Sequence, residues 1–447
     1  MADQKQWQKM TAEERLESRI QGFLNPRNAN FENPEAQAAY QARVNRLINA
    51  IQLKKKPDRI PVYPLLTFLP AHLAGITYQD AMYDYGKTME AWRKYVYEYE
   101  PDAYAGPFLA ISGKLLDIIQ YKMYRWPGRG VSERAPYQCV EGEYMKAEEY
   151  DDLINDPSDF FLRTYLPRII GGFAGFRKLR PFSEIIEITS LAQNLIYLGM
   201  PEVQETLETL IVAGKEAMAW LMELLSFETE VRNRGFVSGA GGMSGAPFDV
   251  LGDTLRGTHA IMMDMYRRPE KILQAVERLV PIMIRRGVKG ATATGNPLIT
   301  LPLHKGADSF MSDAQFQKFY WPTLKKVILG LIEEGCVPMP FAEGSYNLRL
   351  KYLAELPPGK TAWFFDQTDM VKAKEAIGDR ICLIGNVPSS LMISAEPRKV
   401  EEYCQHLIEK AGQGGGFIMA NGSALDEAKP ENLRAMIEYT KKNGKYS

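Results

Sequence analysis

The chain has 447 residues and a formal net charge of −1, and its charged side chains are mixed in sign along the sequence. A chain without a basic excess gives no indication of a nucleic-acid partner. The polar N-terminal segment lacks the apolar core of a signal peptide, and no apolar run approaches the ~20 residues that span a bilayer. Four scattered cysteines without a CxxC pair argue against a disulfide framework and fit a reducing compartment. These features predict a cytoplasmic protein that binds neither nucleic acid nor membrane.

The first 56 residues are predicted to form a helical extension. Thr11 and Glu14 match a capping box that opens one helix. A second helix is predicted over residues 33–53, ending in a basic run before Pro57. Residues 57–447 are then predicted to form one large domain.

Eight short apolar segments in that domain are predicted to be strands, and most precede a predicted helix. They are residues 59–66, 102–106, 236–240, 298–303, 336–340, 361–365, 381–385 and 417–420. Strands that alternate with helices indicate parallel βα units. Eight units favour a (β/α)₈ TIM barrel over an open sheet, which more often has five or six strands. The predicted fold class is therefore α/β, a TIM barrel with an N-terminal helical extension.

The segment between the second and third predicted strands, about residues 107–230, contains too much helix for one βα connection. We predict a helical insertion there, or a lid-like helical layer over one side of the barrel. A turn is predicted at residues 126–130, and residues 151–168 and 185–225 are predicted to be mostly helical.

Polar side chains follow five of the predicted strands, at the point where each strand ends. They are His304, Glu343, Asp366, Asn386 and Asn421. The C-terminal ends of barrel strands meet at one mouth, where barrel enzymes carry their active sites. The sequence therefore predicts that these five residues surround one site.

Four residues are predicted to carry catalysis. Glu343 is a candidate general acid, and His304, which titrates near neutrality, could protonate a leaving group. Together they are also candidate ligands for a divalent metal such as zinc. The alternatives without a function are a surface carboxylate for Glu343 and a structural histidine for His304. Asp366 is predicted to orient His304 or a ligand, or else to cap the following helix. Tyr346 is predicted to donate a hydrogen bond to a substrate oxygen, with packing as the alternative.

Four further residues at the strand ends are predicted to bind the substrate. They are Phe341, Trp363, Asn386 and Asn421, with loop shaping as the alternative role for Asn386. The two aromatic members belong to a set of aromatic residues that is predicted to line the mouth.

Several short motifs resemble the uroporphyrinogen decarboxylase superfamily, most clearly from about residue 236 to the end. They include Asp58-Arg59-Ile60-Pro61-Val62, Ala246-Pro247-Phe248 with Gly252, Phe310-Met311-Ser312, Tyr320-Trp321-Pro322, Ala376-Ile377-Gly378-Asp379-Arg380, Leu383-Ile384-Gly385-Asn386-Val387, Gly414-Gly415-Gly416-Phe417-Ile418 and Pro430-Glu431-Asn432-Leu433. The resemblance implies a TIM barrel, which agrees with the strand count. It also implies a homodimer.

The chain departs from both kinds of enzyme in that superfamily. The decarboxylases carry an arginine-rich loop after the first strand to pair the carboxylates of a porphyrinogen, whereas the matching residues 65–73 contain no arginine. The corrinoid-dependent methyltransferases that act on thiols hold zinc with His-x-Cys and a later Cys. The matching positions here are Phe341, Glu343 and Ser423, so the thiolate zinc site is absent.

The resemblance therefore implies a corrinoid-dependent methyltransferase that demethylates a small methylated substrate, an aryl methyl ether. It would pass the methyl group to a corrinoid (cobalamin) held by a partner protein. Two alternatives stay open: a decarboxylase or other lyase of the uroporphyrinogen decarboxylase type, and a non-catalytic protein that binds a corrinoid or tetrapyrrole.

Overall fold

The computed structural model describes residues 6–446. It contains nine strands: β1 (Tyr124–Pro127), β2 (Gly130–Val131), β3 (Gln138–Cys139), β4 (Gly242–Met243), β5 (Leu298–Leu303), β6 (Val337–Ala342), β7 (Ala362–Phe365), β8 (Cys382–Val387) and β9 (Phe417–Asn421). Strands β4 to β9 form a parallel sheet in chain order, while β1 to β3 form a small separate sheet. Strictly sequential order in a parallel sheet is what a barrel requires.

Two isolated bridges close the parallel sheet into a ring. Val62 pairs in parallel with Met419 of β9, and Tyr104 pairs in parallel with Ser238, just before β4. The backbone N–H of Asp102 donates to the carbonyl of Val62, which joins the two bridging segments to each other. Together with β4 to β9, these segments give eight positions around one barrel, so the predicted TIM barrel is confirmed.

The first two predicted strands are reduced to isolated bridges: the first pairs at Arg59, Val62 and Leu66, and the second pairs only at Tyr104. Proline has no backbone N–H to donate to a ladder, and prolines flank both segments, at positions 61, 64, 101 and 107. The apolar pattern therefore located both segments correctly but overestimated the length of their pairing.

Helices cover the outside of the barrel and its N-terminal side. Those of eight or more residues are Ala12–Leu24, Pro34–Gln52, Tyr85–Tyr99, Ile188–Leu195, Pro201–Asn233, Thr258–Arg267, Pro269–Thr294, Trp321–Glu333, Met370–Ile377, Pro397–Leu407 and Pro430–Asn443. Shorter α-helical segments are Leu69–Leu73, Tyr78–Tyr83, Gly113–Ile118, Tyr150–Asn155, Pro157–Asp159, Leu166–Ile169, Pro247–Asp249, Asp313–Gln315, Leu350–Leu353 and Ser389–Ser394. No helix within residues 6–446 combines the length and the apolar character needed to cross a bilayer.

Several helix predictions were wrong in their bounds, for identifiable reasons. The helix predicted over 151–168 is divided into short pieces, with prolines at the start or first turn of two of them. The sequence also predicts a helix over about residues 249–266, and the structure interrupts it at Gly257, whose φ of +76° is a left-handed conformation that suits glycine. The turn predicted at 126–130 is present, but it connects β1 to β2.

The helix Pro201–Asn233, called the long helix below, dominates the segment between Tyr104 and Ser238. Its C-terminal half, from Glu216 onward, packs along the helix Tyr85–Tyr99. Glu230 accepts hydrogen bonds from Arg93 and Tyr97, and Glu216 accepts one from Tyr85. Tyr85 is the first residue of that neighbouring helix. The fifteen or so residues before Glu216 therefore extend past the start of the neighbouring helix by about 20 Å, given a rise of 1.5 Å per residue.

Candidate active site

A charged cluster lies where β5 and β6 end, and it contains two of the predicted catalytic residues. His304 directly follows β5 and Glu343 directly follows β6. The imidazole Nδ1 lies 2.6 Å from Oδ2 of Asp253, and Nε2 lies 3.5 Å from Oε1 of Glu343. The side chains of His304 and Glu343 are 44% and 43% exposed, so the cluster faces solvent at the mouth.

The charge of His304 is set by these neighbours. Partial burial lowers its pKa, but the hydrogen bond to Asp253 and the ion pair with Glu343 outweigh that effect and raise the pKa to about 11. The side chain remains partly exposed, so water screens some of this attraction. His304 is therefore an imidazolium at neutral pH, and both of its ring nitrogens are donors.

Asp249 fixes the backbone that carries His304. Its carboxylate accepts hydrogen bonds from the backbone N–H groups of His304 and Lys305 and from the Tyr320 hydroxyl. Burial, with a contribution from Asp253, raises the pKa of Asp249 to about 7. The loop after β5 is thus held from below by one buried carboxylate, and its imidazole is held from the side by Asp253.

Lys305 adds a second cation beside the cluster. Its Nζ lies 3.2 Å from Oδ1 of Asp253 and donates to the hydroxyl of Thr258 at 2.6 Å. Asp253 therefore contacts two cations, one through each carboxylate oxygen, which fixes its orientation toward His304.

A polar cavity of about 710 Å³ opens beside this cluster, above the ends of β7, β8 and β9. Its walls carry hydroxyl, amide and carboxylate groups together with a few apolar side chains; the polar members are Asp366, Gln367, Thr368, Asp369, Asn386, Ser389, Ser390, Tyr403, His406 and Ser423. A volume of this size accommodates a small organic ligand. His304 and Glu343 do not line this cavity, so the predicted single site is in fact two adjoining regions.

Asp366 connects the two regions; it neither orients His304 nor caps the following helix, while its predicted role in orienting a ligand stays a prediction. Its carboxylate accepts a hydrogen bond from the backbone N–H of Gly344 at 3.0 Å, and burial raises its pKa. Asp253, not Asp366, orients His304. The following helix is capped by Asp369, whose carboxylate accepts from two backbone N–H groups.

Asn386 and Asn421 mainly hold backbone. The Asn386 amide donates to the carbonyls of Asp366 and Thr368 while its other face lines the cavity. The Asn421 amide accepts from the N–H of Leu65 and donates to the carbonyl of the same residue. Asn421 is fully buried, so its predicted substrate contact is replaced by a clamp between the last and first barrel segments.

Three aromatic predictions were also wrong, because the side chains are core residues. Trp363 is fully buried and stacks on Phe365, on the opposite face of β7 from Phe364. Tyr346 is fully buried, so its hydroxyl is enclosed by the core and does not face the mouth. Phe341 is only 7% exposed and packs edge-on against Phe364 inside the barrel.

The sequence analysis missed Asp249 and Asp253. They are four residues apart, in the segment Pro247–Leu255 that follows the third barrel position, and this segment was predicted to be helical. Residues four apart on a helix share one face. Two carboxylates in that spacing, beside a motif of the predicted family, were the signal that could have identified them.

The charged cluster does not have the form of a metal site. Among residues 6–446, no group of three or more His, Cys, Asp or Glu side chains is arranged to hold a metal ion. The geometry therefore gives no support to the predicted metal ligation by His304 and Glu343.

Comparison with known proteins shows a family likeness in the C-terminal half of the chain. Residues 230–443 match the model of the family described as uroporphyrinogen decarboxylase (URO-D). The match covers 214 of the 447 residues, so this part of the chain, called the URO-D domain below, is similar to that family. The predicted resemblance is thereby confirmed, and the two segments that close the barrel before residue 230 lie outside the matched URO-D region.

The relatives of the URO-D domain are distant. A uroporphyrinogen decarboxylase of Syntrophotalea carbinolica is 22% identical over 271 residues, covering 58% of this chain and 77% of the relative. One of Salmonella dublin is 25% identical over 210 residues, covering 44% of this chain and 57% of the relative. A solved methyltransferase from Methanosarcina mazei has a TM-score of 0.56 at 14% identity, covering 91% of this chain and 98% of that structure. At 14% identity, the similarity to the Methanosarcina mazei structure shows a shared fold and nothing further.

Proposed function

We propose that this protein is a methyltransferase that removes the methyl group of an aryl methyl ether and passes it to a corrinoid held by a partner protein. The observation that carries the proposal is the His304 imidazolium, held between Asp253 and Glu343 beside the polar cavity. Support also comes from the URO-D domain and from the methyltransferase fold of the Methanosarcina mazei structure.

The chemical requirement of ether demethylation matches a cationic acid. When the O–CH₃ bond breaks, the electron pair stays on the aryl oxygen, which must receive a proton or equivalent stabilisation. A phenol has a pKa of about 10, like tyrosine, and the pKa of His304 is raised to about 11. His304 is therefore in its protonated form at neutral pH and has a proton on Nε2 to give to the departing oxygen.

The surrounding residues have separate tasks in this proposal. Asp253 holds the imidazole by Nδ1, so the Nε2 proton points to the mouth. The Nε2 contact with Glu343 is an ion pair at 3.5 Å, longer than a normal hydrogen bond, so a substrate oxygen can compete for that proton. The polar cavity would hold the aryl group and its other substituents.

The mouth also fits a cofactor carried by another protein. A reduced corrinoid supplies the nucleophile that accepts a methyl group, and it must approach from outside the barrel. Because the side chains of His304 and Glu343 are both more than 40% exposed, the charged cluster is accessible from that side.

The decarboxylase alternative meets a chemical obstacle at the loop after the first barrel segment. In place of arginines, this loop contains the short helix Leu69–Leu73, where Leu69, Pro70 and Ala71 are buried. Apolar side chains cannot pair the several carboxylates of a porphyrinogen.

The test is a methyl-transfer assay with cob(I)alamin and a panel of methoxyaromatics and methylamines, in which methylcobalamin formation is followed by absorbance. The proposal predicts product with methoxyaromatics and strong loss in His304→Gln. His72→Gln is a matched control, because His72 is exposed on the short helix at 69–73. The proposal is wrong if no methyl group is transferred either to cob(I)alamin or to the native corrinoid protein, and the protein instead decarboxylates uroporphyrinogen.

A further inference from the structure

The long helix presents a stripe of apolar side chains to solvent. Leu207, Ile211, Met218, Met222 and Leu225 are each between 38% and 60% exposed. Their spacings of four, seven, four and three residues place them on one face of the helix. A different face packs against the protein through side chains such as Ala213, Phe227 and Val231.

A glycine lies in the middle of this stripe. Gly214 is seven residues after Leu207 and four before Met218, so it shares their face. A Cβ added there would meet nothing within 4 Å, so packing within the chain does not require glycine. Glycine weakens a helix interior but allows another backbone to approach closely.

The apolar surface extends beyond the stripe. Further exposed apolar side chains lie before the long helix and beside the stripe: Phe182, Ile186, Ile188, Leu191, Leu195, Ile196, Met200, Val212 and Leu221. The combined area is on the order of 1,000 Å², compared with about 300–600 Å² for the largest patch of a typical monomer. It also reaches the ~800 Å² per partner of a standard stable interface.

We propose that the apolar stripe is the surface on which a second copy of this chain docks, with the two long helices antiparallel. Leu207 and Leu225 lie nine residues on either side of position 216, and Gly214 and Met218 lie two residues on either side. A two-fold axis at that level places Leu207 against Leu225 of the partner subunit. It also places the gap at Gly214 against Met218 of the partner subunit. Such self-complementarity is what a two-fold interface requires.

The part of the long helix before Glu216 packs within its own chain against residues 171–179, where the Thr206 hydroxyl accepts a hydrogen bond from the backbone N–H of Gly175, and this contact leaves the stripe uncovered. The residues before Glu216 extend past the helix Tyr85–Tyr99. In the antiparallel pair they lie along the C-terminal half of the partner's long helix. The stripe lies wholly outside residues 230–443, so it is not a feature of the URO-D domain. It also contains none of the residues of the charged cluster, so the inference is independent of the proposed function.

The first test is the mass of the protein in solution, measured by sedimentation equilibrium at micromolar concentration. The wild type is expected at twice the 50.6 kDa of one chain. Met218→Glu is expected to raise the dissociation constant at least about 100-fold, because it places unpaired charges in the interface core. Ile211→Glu should act in the same way.

Met262→Glu is the matched control. Met262 is 42% exposed on the separate helix Thr258–Arg267, so the same substitution there should leave the dimer intact. Circular dichroism of each variant checks that the fold is retained. A monomeric wild type, or a dimer that Met218→Glu does not weaken, would overturn the proposal.

Cross-linking tests the antiparallel register. Leu207→Cys/Leu225→Cys, made in a Cys139→Ser background because Cys139 is the exposed cysteine, is expected to form a disulfide-linked dimer on mild oxidation. Within one helix the two positions are about 27 Å apart, whereas a disulfide needs Cα atoms within about 7 Å. Each single cysteine variant should stay unlinked. A dimer in which only a single variant cross-links would overturn the antiparallel arrangement.

Discussion

The two sides of the barrel mouth offer polar side chains in different environments. At the ends of β5 and β6, His304 and Glu343 are joined by buried and half-buried carboxylates, and the imidazole carries a charge. At the ends of β7 to β9, the polar groups line an open cavity or hold backbone, as Asn386 and Asn421 do. The position at a strand end is the same in both cases. What differs is the neighbour that each side chain meets, so position alone does not define a catalytic residue.

The largest expected effect is on the charged side. His304→Gln removes the acid while keeping a side chain of similar size, so methyl transfer should fall by about 10²–10⁴-fold, the usual contribution of a positioned acid. His72→Gln should keep its activity. Steady-state kinetics with a methoxyaromatic substrate measures both variants, and equal rates for His304→Gln and the wild type would contradict the role of His304.

The second prediction concerns a strand-end residue that holds structure. Asn421→Ala leaves the N–H of Leu65 without its partner and removes one of the two donors to the Leu65 carbonyl, the other being the N–H of Leu425, so the free energy of unfolding should fall by about 1–3 kcal/mol. Urea unfolding measures this, with the exposed Asn443→Ala as control. If fully folded Asn421→Ala loses activity without losing stability, Asn421 contributes to the active site and the structural role is contradicted.

The third prediction is a pH dependence. The pKa of His304 is raised above its ordinary value of 6.5, so its ion pairs stabilise the fold fully below pH 6.5 and lose this effect as the pH rises through about 11. Wild-type activity should therefore persist at mildly alkaline pH and decline near pH 11. In Asp253→Asn the decline should begin at least about one pH unit lower, because a pairing charge is lost. Initial rates across pH measure both profiles; unchanged profiles would contradict the pairing.

The smallest expected effect is in the polar cavity. Ser423 lines it and exchanges a 2.6 Å hydrogen bond with Ser389. Ser423→Leu should raise KM roughly 5-fold with little change in kcat, because it removes ligand contacts and leaves His304 in place. Ser394→Leu, at an exposed helix position, is the control. A fall in kcat with an unchanged KM would instead place chemistry in the cavity.

The barrel could be predicted because its signal is repeated. Each apolar segment with a following helix is weak evidence, but eight in order define the architecture. The pairing of His304 with Glu343 followed from the order of adjacent strands, since β5 and β6 are neighbours.

The remaining parts of the site depend on contacts that the local sequence does not specify. Asp249 and Asp253 reach His304 across about fifty residues of chain, through a segment that Gly257 ends. Trp363 and Phe364 are adjacent in β7, yet only the latter faces the barrel interior, and the alternation alone does not say which one. An apolar sequence with aromatic residues at strand ends therefore indicated a mouth where the structure has a core.

The most direct test of the central claim is the dependence of methyl transfer on the leaving group. Rates would be measured for the wild type and His304→Gln with a series of substituted anisoles whose phenols span several pKa units. If His304 protonates the departing oxygen, the wild type should depend weakly on phenol acidity and His304→Gln should depend steeply, with its largest deficit for the least acidic phenols. Parallel dependences in the two proteins would show that the imidazolium does not act on the leaving oxygen, and would contradict the account.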